Sequence, residues 1–380
     1  MPFDEGMPEL DAVLQARLIQ LERRQRHRQP ISGQRFDGVY VKRDGKSLVS
    51  FSCNDYLGLA QHPEVTAAAH DALDRYGSGA GASRLVTGNH PLYERLESEL
   101  AQLKGAEDAC VFGSGYLANL GVISALVGPN DLILADKYIH ACMLDGAKLS
   151  QATLKRFAHN NIEHCRRLLT KYRPTCENCL ILTETVFSMD GDRAQLDQLS
   201  ELAGDNDAWL MTDDAHGLAI VTSAPTDVMM GTLSKAAGSY GGYVAGTRQL
   251  VDFVKGTARS LIYSTALPPA TIAASIAAIK VMQREPQRGE RALALAKLFS
   301  SRLELRSAES AIVPVIVRDE KRALDLSAML EANGYLVTAI RPPTVPESTS
   351  RLRFTFSMLH DETDVQSVAD LLKEHLACEL

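Results

Sequence analysis

The chain has 380 residues, of which 45% are hydrophobic, 6% aromatic and 23% charged, a composition that excludes disorder and coiled coil as the main architecture. Its 40 Lys and Arg residues against 47 Asp and Glu residues give a formal charge of -7, so nucleic acid is not expected as a partner. Because no apolar run approaches the about 20 residues of a membrane-spanning helix and the acidic N-terminus lacks the apolar segment of a signal peptide, we expect a cytoplasmic protein without membrane contact.

The N-terminal segment predicts an amphipathic helix over residues 10–28. Apolar residues recur there at helical spacing, at Leu10, Val13, Leu14, Leu18 and Leu21. The end of the segment is basic, with Arg23, Arg24, Arg26, His27 and Arg28. Either a solvated helix face or an anion-binding site accounts for this basic cluster.

From residue 48 onward, short apolar runs alternate with helical patterns. The runs that predict buried strands lie at residues 109–112, 132–135, 180–183, 209–212 and 228–231. Helices are predicted at residues 91–103, 117–127, 141–149, 162–172 and 196–202. This alternation is typical of an α/β fold in which helices cover both faces of a parallel sheet. Active sites of such folds lie at the carboxyl ends of the strands.

The pattern changes after residue 268. An Ala-rich helical stretch is predicted over residues 270–303, with a break near Pro286. The remaining elements are predicted as a strand at 312–317, a helix at 323–332, a strand at 352–356 and a helix at 365–376. The predicted units are an N-terminal helix and arm (1–47), a large α/β domain (48–268), a helical connector (269–306) and a small C-terminal α+β domain (307–380).

The cysteine pattern argues against a secreted protein held together by disulfides. An odd number of cysteines, seven, in a chain of this length favours buried thiols. Cys176 and Cys179 have the spacing of half a zinc site or of a redox pair. Because a structural zinc ion needs four ligands and no second Cys pair accompanies them, we favour two thiols beside a strand and predict no metal site.

Lys235 follows the predicted strand 228–231 and precedes a glycine-rich stretch. A lysine can bind a carbonyl cofactor covalently, and the hydroxyl groups of Thr232 and Ser234 could bind a phosphate that anchors it. An ordinary surface lysine is the alternative.

The predicted strand 209–212 ends in Asp213-Asp214-Ala215-His216-Gly217. A carboxylate at this position can keep a pyridine nitrogen protonated, so that the ring absorbs the electrons of a carbanion. An imidazole three residues later can bind an adjacent phenolate oxygen. A zinc site is the alternative, but the cluster lacks a further ligand nearby.

Glycines 113 and 115 lie between a predicted strand and a predicted helix, where backbone N–H groups bind phosphate. A nicotinamide enzyme is disfavoured because position 118 is not glycine. His140, after the strand 132–135, could stack on a flat ring or be purely structural. These signals all follow strands of one predicted sheet, and together they indicate pyridoxal 5′-phosphate (PLP) as cofactor.

From about residue 51 to the C-terminus the chain also resembles a known family. The motifs that carry the resemblance are SCNDYLGL at 52–59, GAGASRLVTGN at 79–89, TETVFSMDGD at 183–192, DDAHG at 213–217 and Ser234-Lys235. By these motifs the chain is identified as a member of the α-oxoamine synthases, which are fold-type-I PLP enzymes. The resemblance implies a large domain with a mostly parallel sheet and a small C-terminal α+β domain.

The resemblance also implies roles for individual residues. Lys235 would bind PLP covalently, Asp213 would pair with the pyridine nitrogen, and His216 would hydrogen-bond the phenolic oxygen. His140 would stack on the ring, and Ser188 would lie close to the same oxygen. The residues that would surround the phosphate are Gly115, Tyr116, Thr232 and Ser234.

Further implied roles concern the partner subunit and the substrates. Thr265 would reach the phosphate bound by a neighbouring subunit, which makes the expected assembly a homodimer with shared active sites. Asn54 and Arg353 would bind the carboxylate of the amino acid. One arginine of the basic cluster, Arg26 or Arg28, would meet the acyl substrate.

The implied activity is that of an acyltransferase. Residues 340–346 resemble the oxononanoate synthase branch of the family, which implies a decarboxylating condensation of L-alanine with a pimeloyl thioester to give 8-amino-7-oxononanoate, CO2 and free thiol in biotin biosynthesis. The thioester would be carried by coenzyme A or by acyl carrier protein. Glycine C-acetyltransferase and an aminolevulinate-type synthase are alternatives within the family, and residues 340–346 argue against both. A non-catalytic metal-binding protein is the alternative from another class.

The chain departs from the family pattern at residues 218–225, where the family usually has a longer loop that contains glycine. This shortening leaves the expected cofactor residues intact. We expect it to bear on the choice of acyl donor.

Overall fold

A computed structural model describes residues 9–24, 26–221 and 226–377 of the chain. The first helix, α1 (Leu10–Arg23), is shorter than the predicted span of 10–28 and buries none of its residues. It ends early because no apolar residue continues the helical spacing beyond Leu21.

Three short strands that the sequence analysis missed follow this helix. They are β1 (Gln34–Phe36), β2 (Tyr40–Arg43) and β3 (Lys46–Ser50), and they form an antiparallel meander. The strands contain three to five residues, too few to show a clear alternation of polar and apolar positions. Two helices come next, α2 (Pro63–Tyr76) and α3 (Pro91–Lys104).

A seven-stranded sheet forms the centre of the molecule. Its strands are β4 (Asp108–Phe112), β5 (Leu132–Asp136), β6 (Thr153–Phe157), β7 (Cys179–Glu184), β8 (Trp209–Asp213), β9 (Val228–Thr232) and β10 (Gly242–Gly246). The order across the sheet is β4-β10-β9-β8-β7-β5-β6. All neighbouring pairs from β9 to β6 are parallel, whereas β10 is antiparallel to both of its neighbours.

The predicted strands of this sheet are confirmed, and two further strands were missed. The missed strand β6 is mostly part-exposed and contains Lys155 and Arg156, and β10 begins and ends with glycine. Because β10 is antiparallel to β4 and to β9, the strand β4 runs parallel to the remainder of the sheet. The loops after β4, β5, β7, β8 and β9 therefore share one edge.

Helices cover both faces of the sheet, as predicted. They are α4 (Gly115–Leu126), α5 (Ala141–Ser150), α6 (Ile162–Tyr172), α7 (Leu196–Gly204), α8 (Arg248–Thr257) and α9 (Arg259–Ile262). Along β4 the side chain of Val111 packs into one apolar core, and those of Cys110 and Phe112 pack into another. This alternation places a core on each side of the sheet.

The C-terminal third builds a smaller unit. The helix α10 (Pro269–Arg284) precedes it and packs with α2 and α3 in the core of the large unit. The elements of the smaller unit are α11 (Gln287–Arg302), β11 (Ile312–Arg318), α12 (Glu320–Ala332), β12 (Tyr335–Leu336), β13 (Thr338–Ile340), β14 (Ser350–Thr355) and α13 (Glu362–Ala377). The break near Pro286 is confirmed by the end of α10 at Arg284. The three strands β11, β14 and β13 form an antiparallel sheet.

The N-terminal strands belong to the same unit as the C-terminal elements. β12 pairs in parallel with β3, and Phe51, Phe299, Phe354 and Phe356 share one apolar core. The division of the chain at residues 47, 268 and 306 stays a prediction. Every helix in the described part of the chain is too short or too polar to span a bilayer.

Candidate active site

A cavity of about 210 Å³ lies at the carboxyl edge of the central sheet. It is lined by loops that follow β4, β5, β8 and β9 and by the last residue of β7. The lining residues are Ser114, Gly115, Tyr116, His140, Cys142, Glu184, Asp213, Ala215, His216, Met230, Thr232, Ser234 and Lys235. Most of the residues that were predicted to hold PLP therefore meet in one place.

One wall of the cavity is the N-terminus of α4. Ser114 caps this helix, because its hydroxyl accepts the backbone N–H of Leu117 at 3.2 Å. The hydroxyl oxygens of Thr232 and Ser234 lie 2.8 Å apart on the facing loop. Gly242 lets β10 approach the helix, since a Cβ there would lie 2.5 Å from the backbone nitrogen of Gly115. Free N–H groups of a helix N-terminus beside two hydroxyl groups fit a phosphate.

Asp213 is an anchored carboxylate at the end of β8. Its Oδ2 accepts the amide of Asn119 at 2.7 Å, and its Oδ1 accepts the backbone N–H of Ala215 at 2.9 Å. The side chain is buried. Two donors hold the anionic form in one orientation, which fits a partner that carries a positive charge.

Glu184, the last residue of β7, is a second buried carboxyl group in the cavity and pairs in register with Asp213. Its Oε2 accepts the backbone N–H of Ser188 at 3.2 Å, and its Oε1 has no hydrogen-bond partner among the described residues. Burial, with the charge of Asp213, raises the pKa of Glu184 well above its usual range. Burial beside Asp213 therefore favours the protonated, neutral form of Glu184.

Lys235 brings an amine into the same cavity. Burial lowers the pKa of Lys235, against the attraction of Asp213 and Glu184. A lysine with a lowered pKa loses its proton more readily than a surface lysine, and only the neutral amine is a nucleophile or a base.

His216 is buried beside Tyr56. Its Nδ1 lies 2.7 Å from the hydroxyl oxygen of Tyr56, which also lies 3.1 Å from the side-chain oxygen of Asn54. Burial, together with the charges of Lys235 and Arg353, lowers the pKa of His216 well below its usual range. Burial also raises the pKa of Tyr56 to about 12. Both groups are therefore uncharged at neutral pH.

Arg353, on β14, has a donor that is left for a ligand. Its Nε donates to the carbonyl of Ser188 at 2.5 Å and its Nη1 to the side chain of Asn54 at 3.2 Å. Its Nη2 is buried and has no hydrogen-bond partner among the described residues. A buried unpaired guanidinium nitrogen is costly, and a carboxylate would satisfy it.

A larger cavity of about 540 Å³ shares His140 with the first one. It extends past Ser188 to Pro343–Pro346, and Lys137 and Arg156 contribute positive charge to its wall. The smaller cavity has room for a flat cofactor, and the larger cavity has room for an extended ligand that reaches this cofactor past His140.

His159 connects the two loops that carry His140 and Ser188. Its Nδ1 lies 3.0 Å from Asp136, at the end of β5, and its Nε2 lies 2.8 Å from Asp192. Burial opposes the charged form, but the hydrogen bonds to these two carboxylates raise the pKa of His159 to about 10. The imidazolium is thus a charged crosslink behind the site.

The remaining predicted residues lie outside the smaller cavity. Arg26 forms an ion pair with Glu347 at 2.7 Å. Arg28 donates to the hydroxyl of Thr344 at 3.2 Å, and Thr344 lines the larger cavity. Thr265 forms an isolated β-bridge with Ser83.

Several residues of the site were missed by sequence reasoning. They are Tyr56, Asn119, Cys142 and Glu184. Tyr56 and Glu184 lie inside the quoted motifs at 52–59 and 183–192, so they could have been found there. Cys142 faces the cavity from the first turn of α5, and Asn119 on α4 lies behind it in contact with Asp213; the sequence context of both residues carries no comparable signal.

The cysteine pair lies at the opposite edge of the sheet, because Cys179 begins β7 and Glu184 ends it. The six cysteines among the described residues are free, and Cys378 lies outside them. Of the short segment 218–225, Leu218 and Ile220 are buried in the core. Residues 222–225 lie outside the described residues, so the effect of the segment on the acyl donor stays a prediction.

Known proteins share both the sequence and the fold. Residues 46–372 match the class I and II aminotransferase family. An 8-amino-7-oxononanoate synthase of Methylobacterium nodulans is 52% identical over 97% of each chain. A putative 8-amino-7-oxononanoate synthase of Caulobacter vibrioides is 50% identical over 96% of this chain and 98% of its own.

Two solved structures are similar over most of the chain. A serine palmitoyltransferase from S. paucimobilis with bound PLP and myriocin has a TM-score of 0.90 and 27% identity, covering 97% of this chain and 98% of that one. An 8-amino-7-oxononanoate synthase from Francisella tularensis has a TM-score of 0.75 and 27% identity, covering 87% and 98%. The predicted fold type I is thereby confirmed. By sequence and by fold, the chain belongs to the class I and II aminotransferase family and, within it, to the group of the 8-amino-7-oxononanoate synthases.

Proposed function

We propose that the protein is a PLP-dependent acyltransferase of biotin biosynthesis. It condenses L-alanine with a pimeloyl thioester and releases 8-amino-7-oxononanoate, CO2 and free thiol. The observation that carries the proposal is the convergence of a buried lysine, an anchored aspartate and an unpaired arginine nitrogen at one edge of the sheet. The names of relatives that are about half identical to the chain support the choice of substrates.

The residues present fit PLP. Lys235 would hold it covalently, Asp213 would pair with the pyridine nitrogen, and His140 would lie against the ring. His216 and Ser188 would face the phenolic oxygen. The phosphate would be held by Gly115, Tyr116, Thr232 and Ser234. When bound, PLP supplies an electron sink next to the substrate amino group.

Asp213 keeps a negative charge where the positive pyridine nitrogen would lie. Its orientation is set by Asn119 and Ala215 rather than by solvent. Because the cavity is buried, this charge acts with little screening.

Lys235 is the base that removes the Cα proton of L-alanine. Its lowered pKa leaves a larger fraction of neutral amine at physiological pH than an exposed lysine has.

Arg353 and Asn54 hold the carboxylate of L-alanine. The unpaired Nη2 of Arg353 supplies a charge-assisted hydrogen bond. The other nitrogens of the guanidinium group are already held by Ser188 and Asn54. The carboxylate is thereby kept in one direction while bonds at Cα break.

The larger cavity takes the acyl chain. A pimeloyl group ends in a carboxylate, and Lys137, Arg156 and Arg28 bring positive charge to this region. Arg28 contacts the cavity through Thr344, whereas Arg26 is already paired with Glu347. Arg28 is therefore preferred over Arg26 as the arginine that meets the acyl substrate.

A homodimer with shared active sites is part of the proposal. Large apolar side chains are exposed close to the residues proposed to bridge subunits, with Val86 at 74% and Tyr263 at 72%. Thr265, two residues after Tyr263, is bridged to Ser83, three residues before Val86, and would complete the phosphate site of the partner subunit. A cytoplasmic location is proposed as well, and the free thiols of the described residues agree with a reducing compartment.

An assay of the purified protein tests the proposal. We expect a yellow protein that converts L-alanine and pimeloyl-CoA, pimeloyl-acyl carrier protein, or both into a product with the mass of 8-amino-7-oxononanoate. Glycine with acetyl-CoA is the control for the aminoketobutyrate activity. Faster turnover of that control pair would overturn the proposed substrates, and a colourless protein would overturn the proposed cofactor.

A further inference from the structure

A chain of hydrogen bonds connects Asp213 to His140 behind the wall of the smaller cavity. The amide nitrogen of Asn119 lies 2.7 Å from Oδ2 of Asp213 and 3.1 Å from Sγ of Cys142. The same sulfur lies 2.8 Å from Nδ1 of His140. Asn119, Cys142 and Asp213 are buried, whereas the ring of His140 is open to the cavities.

The chemistry of these groups determines which atom donates and which accepts in each hydrogen bond of this series. A carboxylate can only accept hydrogen bonds, so the amide nitrogen of Asn119, and not its oxygen, faces Asp213. The two hydrogens of this amide are donated to Asp213 and to Cys142. Burial raises the pKa of the Cys142 thiol to about 12. The sulfur therefore keeps its own hydrogen at neutral pH and donates it to the remaining neighbour, His140.

A second donor points to the same ring nitrogen. The backbone N–H of Cys142 donates to Nδ1 of His140 at 3.2 Å, where the ring caps the N-terminus of α5. A nitrogen that accepts a backbone N–H does not carry a hydrogen of its own. In the neutral ring the hydrogen is then on Nε2, which has no hydrogen-bond partner among the described residues.

We propose that Asn119 and Cys142 are positioning residues that hold His140 in the Nε2–H tautomer and tie its orientation to that of Asp213. The inference rests on the proposed function, because it assumes that His140 and Asp213 face the cofactor. Its consequence is that His140 presents a hydrogen-bond donor to the substrate side. A substrate oxygen that gains negative charge during the reaction is the group that this donor would stabilise.

Two substitutions at position 142 separate this role from simple packing. Cys142→Ser keeps a group that accepts from Asn119 and donates to His140, whereas Cys142→Ala removes both hydrogen bonds. Cys165→Ala is the matched control, because Cys165 is a fully buried thiol on α6 without a role in the chain of hydrogen bonds. Thermal unfolding of all three variants reports the loss of packing.

The decisive measurement is ¹⁵N NMR of the histidine rings in the PLP-loaded protein, with His140 assigned through its loss in His140→Gln. We expect an unprotonated Nδ1 and a protonated Nε2 in the wild type, in Cys142→Ser and in Cys165→Ala. In Cys142→Ala only the longer backbone N–H contact of 3.2 Å remains at Nδ1, so we expect a second, partly populated tautomer and a kcat lower by roughly tenfold or more. A protonated Nδ1 in the wild type would overturn the proposal even if the variants failed to fold.

Unchanged ring signals and unchanged kcat in Cys142→Ala would overturn it as well. If the proposed function itself is wrong, the wild-type protein will lack the yellow colour or will not catalyse the condensation, and both are measured separately. The ring signals of His140 are also recorded before PLP is added, so that this reading of the tautomer depends on neither.

Discussion

Glu184 and Asp213 are register partners on adjacent parallel strands, and both carboxyl groups lie in one buried cavity, but only Asp213 is held by two hydrogen-bond donors at close distance. Two negative charges on neighbouring buried carboxyl groups repel each other strongly, because the surrounding medium has a low dielectric constant. The two donors of Asp213 stabilise its anion, whereas burial beside Asp213 favours the protonated form of Glu184. Replacing the carboxyl group by an amide is therefore expected to affect the activity differently at the two positions.

Asp213→Asn preserves the shape of the side chain and removes its charge. We expect the variant to bind PLP, with equal or weaker affinity, and to lose roughly 100-fold or more in the rate of exchange of the alanine Cα proton with deuterated solvent. Proton NMR of L-alanine incubated with the variant measures this rate. Exchange at the wild-type rate would contradict the proposed role of Asp213.

Glu184→Gln replaces a neutral acid by a neutral amide of the same shape. Because burial favours the protonated form of Glu184, we expect the same exchange rate to stay close to that of the wild type. Glu184→Ala leaves a cavity beside the loop that holds Ser188, and we expect it to lower both the rate and the thermal stability. A loss in Glu184→Gln as large as that in Asp213→Asn would show that the site needs an anion at position 184.

Lys235→Ala should abolish turnover, since no other amine is brought into the smaller cavity by the described residues. We expect the phosphate contacts to retain some PLP. Reduction of the wild-type protein with borohydride, followed by peptide mapping, identifies the lysine that carries the cofactor. A label on another lysine would rule out the assignment.

Arg353→Ala should weaken the binding of L-alanine far more than the binding of PLP. Loss of a buried charged hydrogen bond costs on the order of 2–5 kcal/mol, which corresponds to a roughly 30- to 3,000-fold higher dissociation constant. Titration of L-alanine against the visible absorbance of the yellow protein measures it. We expect Arg353→Lys to bind L-alanine poorly as well, because an ammonium group cannot keep the three separate contacts of the guanidinium group.

An unchanged dissociation constant in Arg353→Ala would place the carboxylate elsewhere. Arg341 is the next candidate, because residues 340–346 border the larger cavity through Pro343–Pro346.

His159→Gln should destabilise the protein in a pH-dependent manner. The pKa of His159 is raised in the folded protein to about 10, above the 6.5 or so of an unfolded histidine. The stabilisation is therefore fully present below about pH 6.5 and is lost as the pH rises through 10. We expect a loss of about 3 kcal/mol at pH 6, as for other buried ion pairs, and almost none at pH 10.5.

Thermal unfolding of the wild type and the variant at several pH values measures this difference. His164→Gln is the matched control, because His164 lies on α6, five residues away in sequence, and accepts a backbone N–H instead of pairing with carboxylates. A difference between His159→Gln and the wild type that did not change with pH would contradict a charged His159.

The central sheet could be predicted because its strands are buried on both faces. Residues 180–183 and 228–231 are short, mainly apolar runs. Such runs can be recognised as buried strands from the local sequence alone, without knowing which strands pair with them. The strand β6 was missed because it lies at the sheet edge and only its last residue, Phe157, is buried. The strands β1 to β3 pair with each other, but each has only three to five residues, and β3 gains its second partner, β12, from the far end of the chain.

The site divides in a similar way. Asp213 and Lys235 follow predicted strands, so their position at the carboxyl edge could be inferred. The pairing of Arg26 with Glu347 joins residues that lie 321 positions apart, and no spacing rule predicts it. The raised pKa of Glu184 depends on its burial beside Asp213, which only the folded structure shows.

The pairing of β3 with β12 has a consequence for the synthesis of the chain. Thr338 donates its backbone N–H to the side chain of Ser52, which lies 286 residues earlier. Ribosomes add about 5–20 residues per second, so roughly 15–60 s pass between the synthesis of these two segments. During that time the edge of β3 lacks its partner β12, and Phe51 lacks the C-terminal side chains that later bury it.

We therefore expect the central sheet to fold on the ribosome first and the smaller unit to close only after β12 and β14 have left the exit tunnel. Nascent chains that stop before residue 335 would expose the unpaired edge of β3, which makes them substrates for chaperones and proteases.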